Sequence, residues 1–427
     1  MIFGLTMFIV FLVLLLIGFP VSFSMIISTL IALFMGGYSL EVFTTQVIEG
    51  IKGYTLLAVP LFILAGNLMN SAGITQRIFD FSVAIVGFIR GGLAQVNILA
   101  SVIFSGISGT AVGDQAGLGA IEMRAMVEKG YSKPYSAALV LASSVIGAII
   151  PPSVPLIVYA YLAEVSVERL FVAGIVPGLL IALTLGIYVY FQVSTGRVQA
   201  PDPEPFEWKT VGQTIKDGFF ALMAPVVILG GMLGGLVTPT EAGAIAAVYA
   251  IICAAIYKEL TFENLKGGFI ASVGSTALIM FLVGVGTSMG WIISAERLPI
   301  LLSDFLLGLT ENKYLMLLII NLLLLMLGMV MEGIPIKLIM VPILLPIIDA
   351  LGIDRMHFGI VMSYNLLLGM ITPPVGIGLY VMTRVGKVKF EHIVKNILPF
   401  YAPMIIALIL LSYFPQLSLW LPSLLFD

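Results

Sequence analysis

The sequence predicts an all-α polytopic membrane protein, built as an inverted repeat around two re-entrant hairpins and two broken helices. Three observations predict it. The chain is 60% hydrophobic and 10% charged, with mean hydropathy +1.14, whereas soluble domains carry about 25% charged residues. Its apolar runs approach the roughly 20 residues that a helix needs to cross a bilayer, and they lack the strict apolar/polar alternation of a membrane β-barrel. One broken-helix signature occurs twice, as Gly147-Ala148-Ile149-Ile150-Pro151-Pro152 and Gly369-Met370-Ile371-Thr372-Pro373-Pro374; 369 less 147 gives an offset of 222. The same offset joins Pro177 to Pro399, and the turn Gly106-Ile107-Ser108-Gly109-Thr110 to Gly328-Met329-Val330-Met331-Glu332.

In chain order the candidate spans are 2–18, 21–36, 54–72, 135–163, 168–193, 218–236, 239–257, 268–292, 356–383 and 392–414. No basic n-region precedes residues 2–19 and no A-x-A site follows, so they read as a retained first span rather than a cleaved signal. Stretches 74–90 and 294–310 are amphipathic and either span or lie flat as connecting arms; 415–425 is too short to span. Segment 195–217, with Pro201, Asp202, Pro203, Glu204 and Pro205, is the hydrophilic linker between a first half, 1–194, and a second, 218–427. The single Cys253 excludes an internal disulfide. No nucleic-acid footprint is visible.

Residues 93–128 and 313–350 each hold two apolar runs around a Gly-containing turn. Each run, roughly 14–18 residues, makes ~21–27 Å of helix, marginal for a core of ~30 Å. A re-entrant hairpin fits, its bare tip buried in protein or against water; two ordinary spans joined by a turn are the alternative. With the broken helices 135–163 and 356–383, each half carries one hairpin and one break. Arg124, Lys129 and Lys133 flank the base of the first hairpin, Arg197, Lys209 and Lys216 the linker, and Lys258, Lys266, Arg384, Lys387, Lys389 and Lys395 later loops. Glu41, Glu49, Glu164, Glu168, Asp304, Glu311, Asp349 and Asp354 fall on the other side. The positive-inside rule then makes the linker and the first hairpin's base cytoplasmic and puts the second hairpin's base and both termini outside, which is an inverted repeat.

Tandem proline removes N–H donors and opens the helix, freeing carbonyls that carry partial negative charge at a half-helix end. Hard cations take several such oxygens. Ser105, Ser108 and Thr110, with Gly147, Ile150 and Pro152, form one candidate cation cage; Gly328 and Glu332, with Gly369, Thr372 and Pro374, form a second. Na⁺ is the simplest guest, the alternative being that Pro-Pro only kinks the helices for packing. Half-helix N-termini facing the space between the cages suit an anion, and Thr110, Asp114, Lys337 and Thr372 are the polar candidates to line it. Asp114 could equally lock the hairpin through backbone N–H bonds, and Lys337 could equally snorkel. Glu241 in Thr238-Pro239-Thr240-Glu241 reads as a cap. Glu332 is the acid deepest in apolar sequence.

These residues resemble the large membrane subunit of TRAP (tripartite ATP-independent periplasmic) transporters. The similarity runs from Met1 to about Phe414 and is carried by Val59-Pro60-Leu61-Phe62-Ile63-Leu64-Ala65-Gly66, Ser105–Thr110, the two Gly-x-x-x-Pro-Pro breaks and Thr238-Pro239-Thr240-Glu241-Ala242. The resemblance implies an elevator-type ion-transporter fold in the bacterial inner membrane. It implies two or more coupling Na⁺ ions, no organic cofactor, and import of an organic anion such as a sialic acid, another sugar acid or a C4-dicarboxylate. It implies a soluble periplasmic binding protein and a small four-helix membrane subunit, expected here as a separate chain. The first tip is Ser/Thr-rich and the second is Met331-Glu332, so the two cages need not be equivalent.

Rival classes fit less well. Ala111-Val112-Gly113-Asp114 lacks the first Gly of the aspartyl intramembrane protease motif; no H-E-x-x-H or G-x-S-x-G occurs, so no enzyme is expected. No Walker A motif supplies ATP hydrolysis. A fixed channel needs no mirror-related pair of breaks. A Na⁺/dicarboxylate symporter working without a binding protein is the nearest alternative.

Overall fold

The computed structural model describes residues 2–201, 203 and 205–426. Asp202 and Glu204 of the expected linker lie outside the described residues. The regular structure described is entirely helical. Among the described residues eight helices are long and apolar enough to cross a membrane: Tyr54–Ser71, Val167–Ser194, Trp208–Leu233, Pro239–Ile256, Phe262–Ala295, Lys313–Val330, Gly333–Ala350 and Phe390–Tyr413.

That set differs from the ten expected spans in informative ways. The first two runs form helices Ile2–Leu16 and Val21–Met35, each of 15 residues. Gly18 at φ 92° and Pro20, at the N-cap, separate them, and their ends fall within two residues of the expected spans. The run 135–163 divides into Lys133–Ser143, a 3₁₀ turn at Ile146–Ala148 and Val154–Ala163. The run 356–383 divides into Arg355–Met370 and Ile377–Gly386. Lys313–Val330 and Gly333–Ala350, expected as halves of a hairpin, have 18 residues each. The linker is shorter than 195–217, because helix starts at Trp208. Phe206 anchors it edge-on between Phe88 and Trp208, with ring centroids 5.0 and 4.9 Å away.

Helix ends repeat at the sequence offset. Ala111 and Gly333 open helices 222 residues apart (333 less 111); the first segment is interrupted at Gly117 and ends at Glu128, 222 residues before Ala350 closes the unbroken second. Lys133 and Arg355 open the broken helices at that spacing too. Both Pro-Pro bonds, Pro151-Pro152 and Pro373-Pro374, are cis. Capping explains where many helices begin. Ser132, Ser153, Ser166, Thr238, Thr261, Asn312 and Asp354 each accept a backbone N–H at an N-cap, worth about 1 kcal/mol apiece. Thr238 and Glu241 form a full capping box, so Glu241 is explained as the sequence suggested.

The broken helices form the interior. Every residue from Tyr135 to Val154 is buried, as is every residue from His357 to Met370. The halves interlock there: Val154–Ala163 packs against both Gly333–Ala350 and Arg355–Met370. A Cβ on Gly359 would run into the Tyr159 ring, and the Tyr159 hydroxyl donates to the Arg355 carbonyl at 2.7 Å.

Candidate functional site

Helix Gly92–Ser108 ends because Gly109 adopts φ 68°, a left-handed conformation that favours glycine. The chain restarts at Thr110, whose hydroxyl accepts the Gly113 N–H at 3.1 Å. The Ser108 hydroxyl donates to the Thr110 carbonyl at 3.2 Å. This turn is tied to the first break: the Val154 N–H donates to the Gly109 carbonyl at 3.0 Å. A Cβ on Gly109 would lie 2.8 Å from the Pro152 oxygen. The second turn has extended backbone at Met331 and Glu332, and is tied to the second break by the Gly376 N–H donating to the Met329 carbonyl at 2.9 Å. A Cβ on Gly369 would meet Gly328 backbone atoms at 2.7 Å. Each turn therefore sits on the break of its own half.

Oxygens accumulate at both junctions. Among the described residues the carbonyls of Gly147, Ile150 and Pro152 receive no hydrogen bond, nor do those of Gly328, Thr372 and Pro374. Other break carbonyls are satisfied. Ala148 accepts from the Ser153 hydroxyl at 2.6 Å, Leu368 from the Thr372 hydroxyl at 2.6 Å, and Ile371 from the Tyr401 hydroxyl at 2.8 Å. Ser105 is fully buried, its hydroxyl donating to Val102.

Asp114 lies at the first junction. Both its carboxylate oxygens are buried without a hydrogen-bond partner, and a Cβ on Gly147 would overlap the carboxylate. It accepts no backbone N–H bond and does not line the cavity described next, so neither sequence-derived role describes its position. A buried carboxylate so poorly served by donors is costly unless a cation compensates it or it takes up a proton. Hydroxyls, free carbonyls and one carboxylate form a donor set for a hard cation. No group of three His, Cys, Asp or Glu side chains converges among the described residues, as softer metals would prefer.

Between the two turns lies a cavity of ≈ 470 Å³, within the ~300–1,000 Å³ typical of small-ligand sites. Of the expected substrate residues, Thr110 and Lys337 line it, and Asp114 and Thr372 do not. Ser108 and Glu332, expected as cage residues, line it too. Among the described residues that line it, Lys337 is the only basic one and Glu332 the only acidic one. Lys337 does not snorkel: it is 1% exposed, and its ammonium donates to the Pro155 carbonyl at 2.7 Å. Asn67, Asn70 and Ser363 also line the cavity and were missed in the sequence. The two asparagines stand in the apolar run 54–72 directly after Gly66, where a Cβ would be 3.3 Å from the Ser108 Cα. Amides inside an apolar run were the available signal.

The family model for the DctM component of tripartite ATP-independent periplasmic (TRAP) transporters matches residues 8–417. The chain belongs to that family. Similar proteins include a sialic acid TRAP transporter large permease protein of Vibrio cholerae, 41% identical over 95% of either chain. A C4-dicarboxylate TRAP transporter large permease protein of the same species is 35% identical over 98% of this chain and 97% of its own. The crystal structure of the Alcanivorax borkumensis YdaH transporter shares the fold at TM-score 0.62 and 16% identity, covering 89% of this chain and 88% of its own. The TRAP permease is thus a transport protein and not an enzyme, and a multi-pass protein of the bacterial inner membrane.

Proposed function

We propose that this TRAP permease imports an organic anion by Na⁺-coupled, elevator-type alternating access, with a periplasmic binding protein delivering the substrate and a small membrane subunit beside it. The observation that carries the reading is the cavity between the two turns, with Lys337 as its single cation. An organic carboxylate fits that cation through a charge-assisted hydrogen bond, and the asparagine amides suit the hydroxyls of a sugar acid. Sialic acid is the leading candidate, in keeping with the named specificity of the Vibrio cholerae relative.

The two junctions are proposed as the ion sites. Ser105, Ser108, Thr110, Gly147, Ile150 and Pro152 would hold one Na⁺, with Asp114 added to the set. Gly328, Glu332, Gly369, Thr372 and Pro374 would hold the other. Bound there, Na⁺ supplies positive charge that satisfies the free carbonyls and the Asp114 carboxylate. Ser108 and Glu332 belong to the cages and also face the cavity, so ion and substrate occupancy share side chains. The repeated helix ends support reading 1–194 and 218–427 as inverted halves, each with a re-entrant hairpin and a broken helix.

The test is uptake of radiolabelled sialic acid into proteoliposomes holding the chain and its small partner, with and without an inward Na⁺ gradient and with and without the binding protein. The reading expects uptake to need both. Uptake without the binding protein would overturn the tripartite part, and uptake indifferent to Na⁺ would overturn the coupling. Uptake of C4-dicarboxylates alone would overturn the sialic-acid assignment.

A further inference from the structure

We infer that Glu122 holds a proton and that, with Asn97, it forms a neutral acid–amide pair clasping two helices of the first half. Asn97 stands on Gly92–Ser108 and Glu122 on Leu118–Glu128, helices that pack together. Asn97 is 0% and Glu122 1% exposed. The Asn97 amide N–H donates to Glu122 Oε2. Two atoms of the pair remain buried without a partner: Asn97 Oδ1 and Glu122 Oε1.

Those two vacancies are complementary only if a proton is present. An ionised carboxylate is acceptor-only, whereas a protonated one also donates an O–H. With Glu122 ionised, Asn97 Oδ1 and Glu122 Oε1 are both acceptors, and neither can satisfy the other. One proton on Oε1, donated to Asn97 Oδ1, completes a reciprocal pair and removes both vacancies. Buried polar groups in native proteins are overwhelmingly paired, so the arrangement that pairs them is favoured.

Nothing else nearby supplies the missing partner. No Lys, Arg or His makes an ion pair with Glu122 among the described residues. Burial itself opposes a charge on Glu122, and the titratable neighbour, Asp114, is another acid rather than a base. Two ionised acids in this interior would leave two charges to compensate. A neutral Glu122 leaves no charge at this helix pair to compensate. The second half has no counterpart: the residues 222 further on are Ile319 and Leu344, whose helices need no such proton.

The test needs no substrate and so stands apart from the transport reading. Infrared difference spectra would be recorded on the full chain with its small partner in lipid nanodiscs, as wild type, Glu122→Gln and Asn97→Leu. The expected result is a protonated-carboxyl stretch present at neutral and at alkaline pH, absent in Glu122→Gln, shifted in Asn97→Leu and unaffected by added Na⁺. Loss of an ionised carboxylate band in Glu122→Gln instead, or disappearance of the protonated band on adding Na⁺, overturns the inference. Thermal melting gives a second reading. Glutamine also donates and accepts, so Glu122→Gln should melt near wild type while Glu122→Leu melts several degrees lower. A Gln variant as unstable as the Leu variant would count against the proton. Should Glu122→Leu fail to accumulate, the infrared comparison of wild type with Glu122→Gln decides alone.

Discussion

The Lys337 ammonium donates a 2.7 Å hydrogen bond to the Pro155 carbonyl, joining the helix after the second turn to the one after the first break. Both residues line the central cavity. A neutral carbonyl is a weaker partner for an ammonium than a carboxylate. The bond therefore orients the cation in a form that the proposed anionic substrate can compete for, and it links the cavity to a residue three positions beyond Pro152.

Removing that cation should weaken substrate capture. A hydrogen bond to a charged group contributes about 1.5–3 kcal/mol, tenfold or more in affinity. Lys337→Met is expected to raise the KM for uptake by about that factor or to abolish uptake, and Lys337→Arg to retain part of it, since its geometry differs but its charge does not. Uptake kinetics across the three proteins check this; an unchanged KM in Lys337→Met would remove Lys337 from the substrate site.

The proposed ion cages predict a different kinetic signature. Ser108→Ala, Thr372→Ala and Asp114→Asn each remove an oxygen donor or a charge beside a break. Each should raise the Na⁺ concentration that half-saturates uptake several-fold while membrane levels of the protein stay near wild type. Thr372→Ala also deletes the bond to the Leu368 carbonyl, so some loss of stability accompanies it. A wild-type Na⁺ response in all three would show that the breaks are not ion sites.

Close backbone approach at the junctions sets a third expectation. Gly328 and Gly369 touch through backbone, and an alanine at 369 would press its Cβ to 2.7 Å from Gly328. Backbone on both sides cannot yield as a flexible side chain would, and overpacking of this kind costs about 1–3 kcal/mol. Gly369→Ala should therefore lower the melting temperature and the yield of folded protein. Gly290→Ala, in the helix Phe262–Ala295 where a Cβ meets nothing within 4 Å, should match wild type in the same melting assay.

What the sequence disclosed and what it hid follow the same physical division. Proline and glycine act locally, so the helix interruptions at Pro151-Pro152 and Pro373-Pro374 and the turn at Gly109 were legible, whereas Gly328 lies within helix Lys313–Val330 and the second turn falls at Met331 and Glu332. The cap at Thr238 and Glu241 was legible for the same reason. The first two helices were legible to within two residues, with Gly18 and Pro20 lying between them. The position of Asp114 against Gly147, the partner of Lys337 at Pro155 and the cavity contributions of Asn67, Asn70 and Ser363 all depend on packing between segments distant in sequence. No periodicity encodes those contacts.

Glu332 gives the sharpest remaining test, because it is an acid in a cavity proposed for an anion. Placed at the N-cap of Gly333–Ala350, a charge on it meets the positive end of the helix dipole while burial opposes it. Facing a substrate carboxylate in the same space, that charge would repel the cargo unless a cation stood between or beside them. The second cage provides this if Glu332 shares its Na⁺ with the free carbonyls of Gly328, Thr372 and Pro374. Glu332→Gln keeps the size of the side chain and removes its charge. Substrate should then bind with less help from Na⁺, so the rise of uptake with Na⁺ concentration becomes shallower and residual uptake at low Na⁺ increases relative to maximum. Parallel titrations of uptake against Na⁺ for wild type and Glu332→Gln decide the matter. Curves that superimpose would assign Glu332 to holding the turn in place.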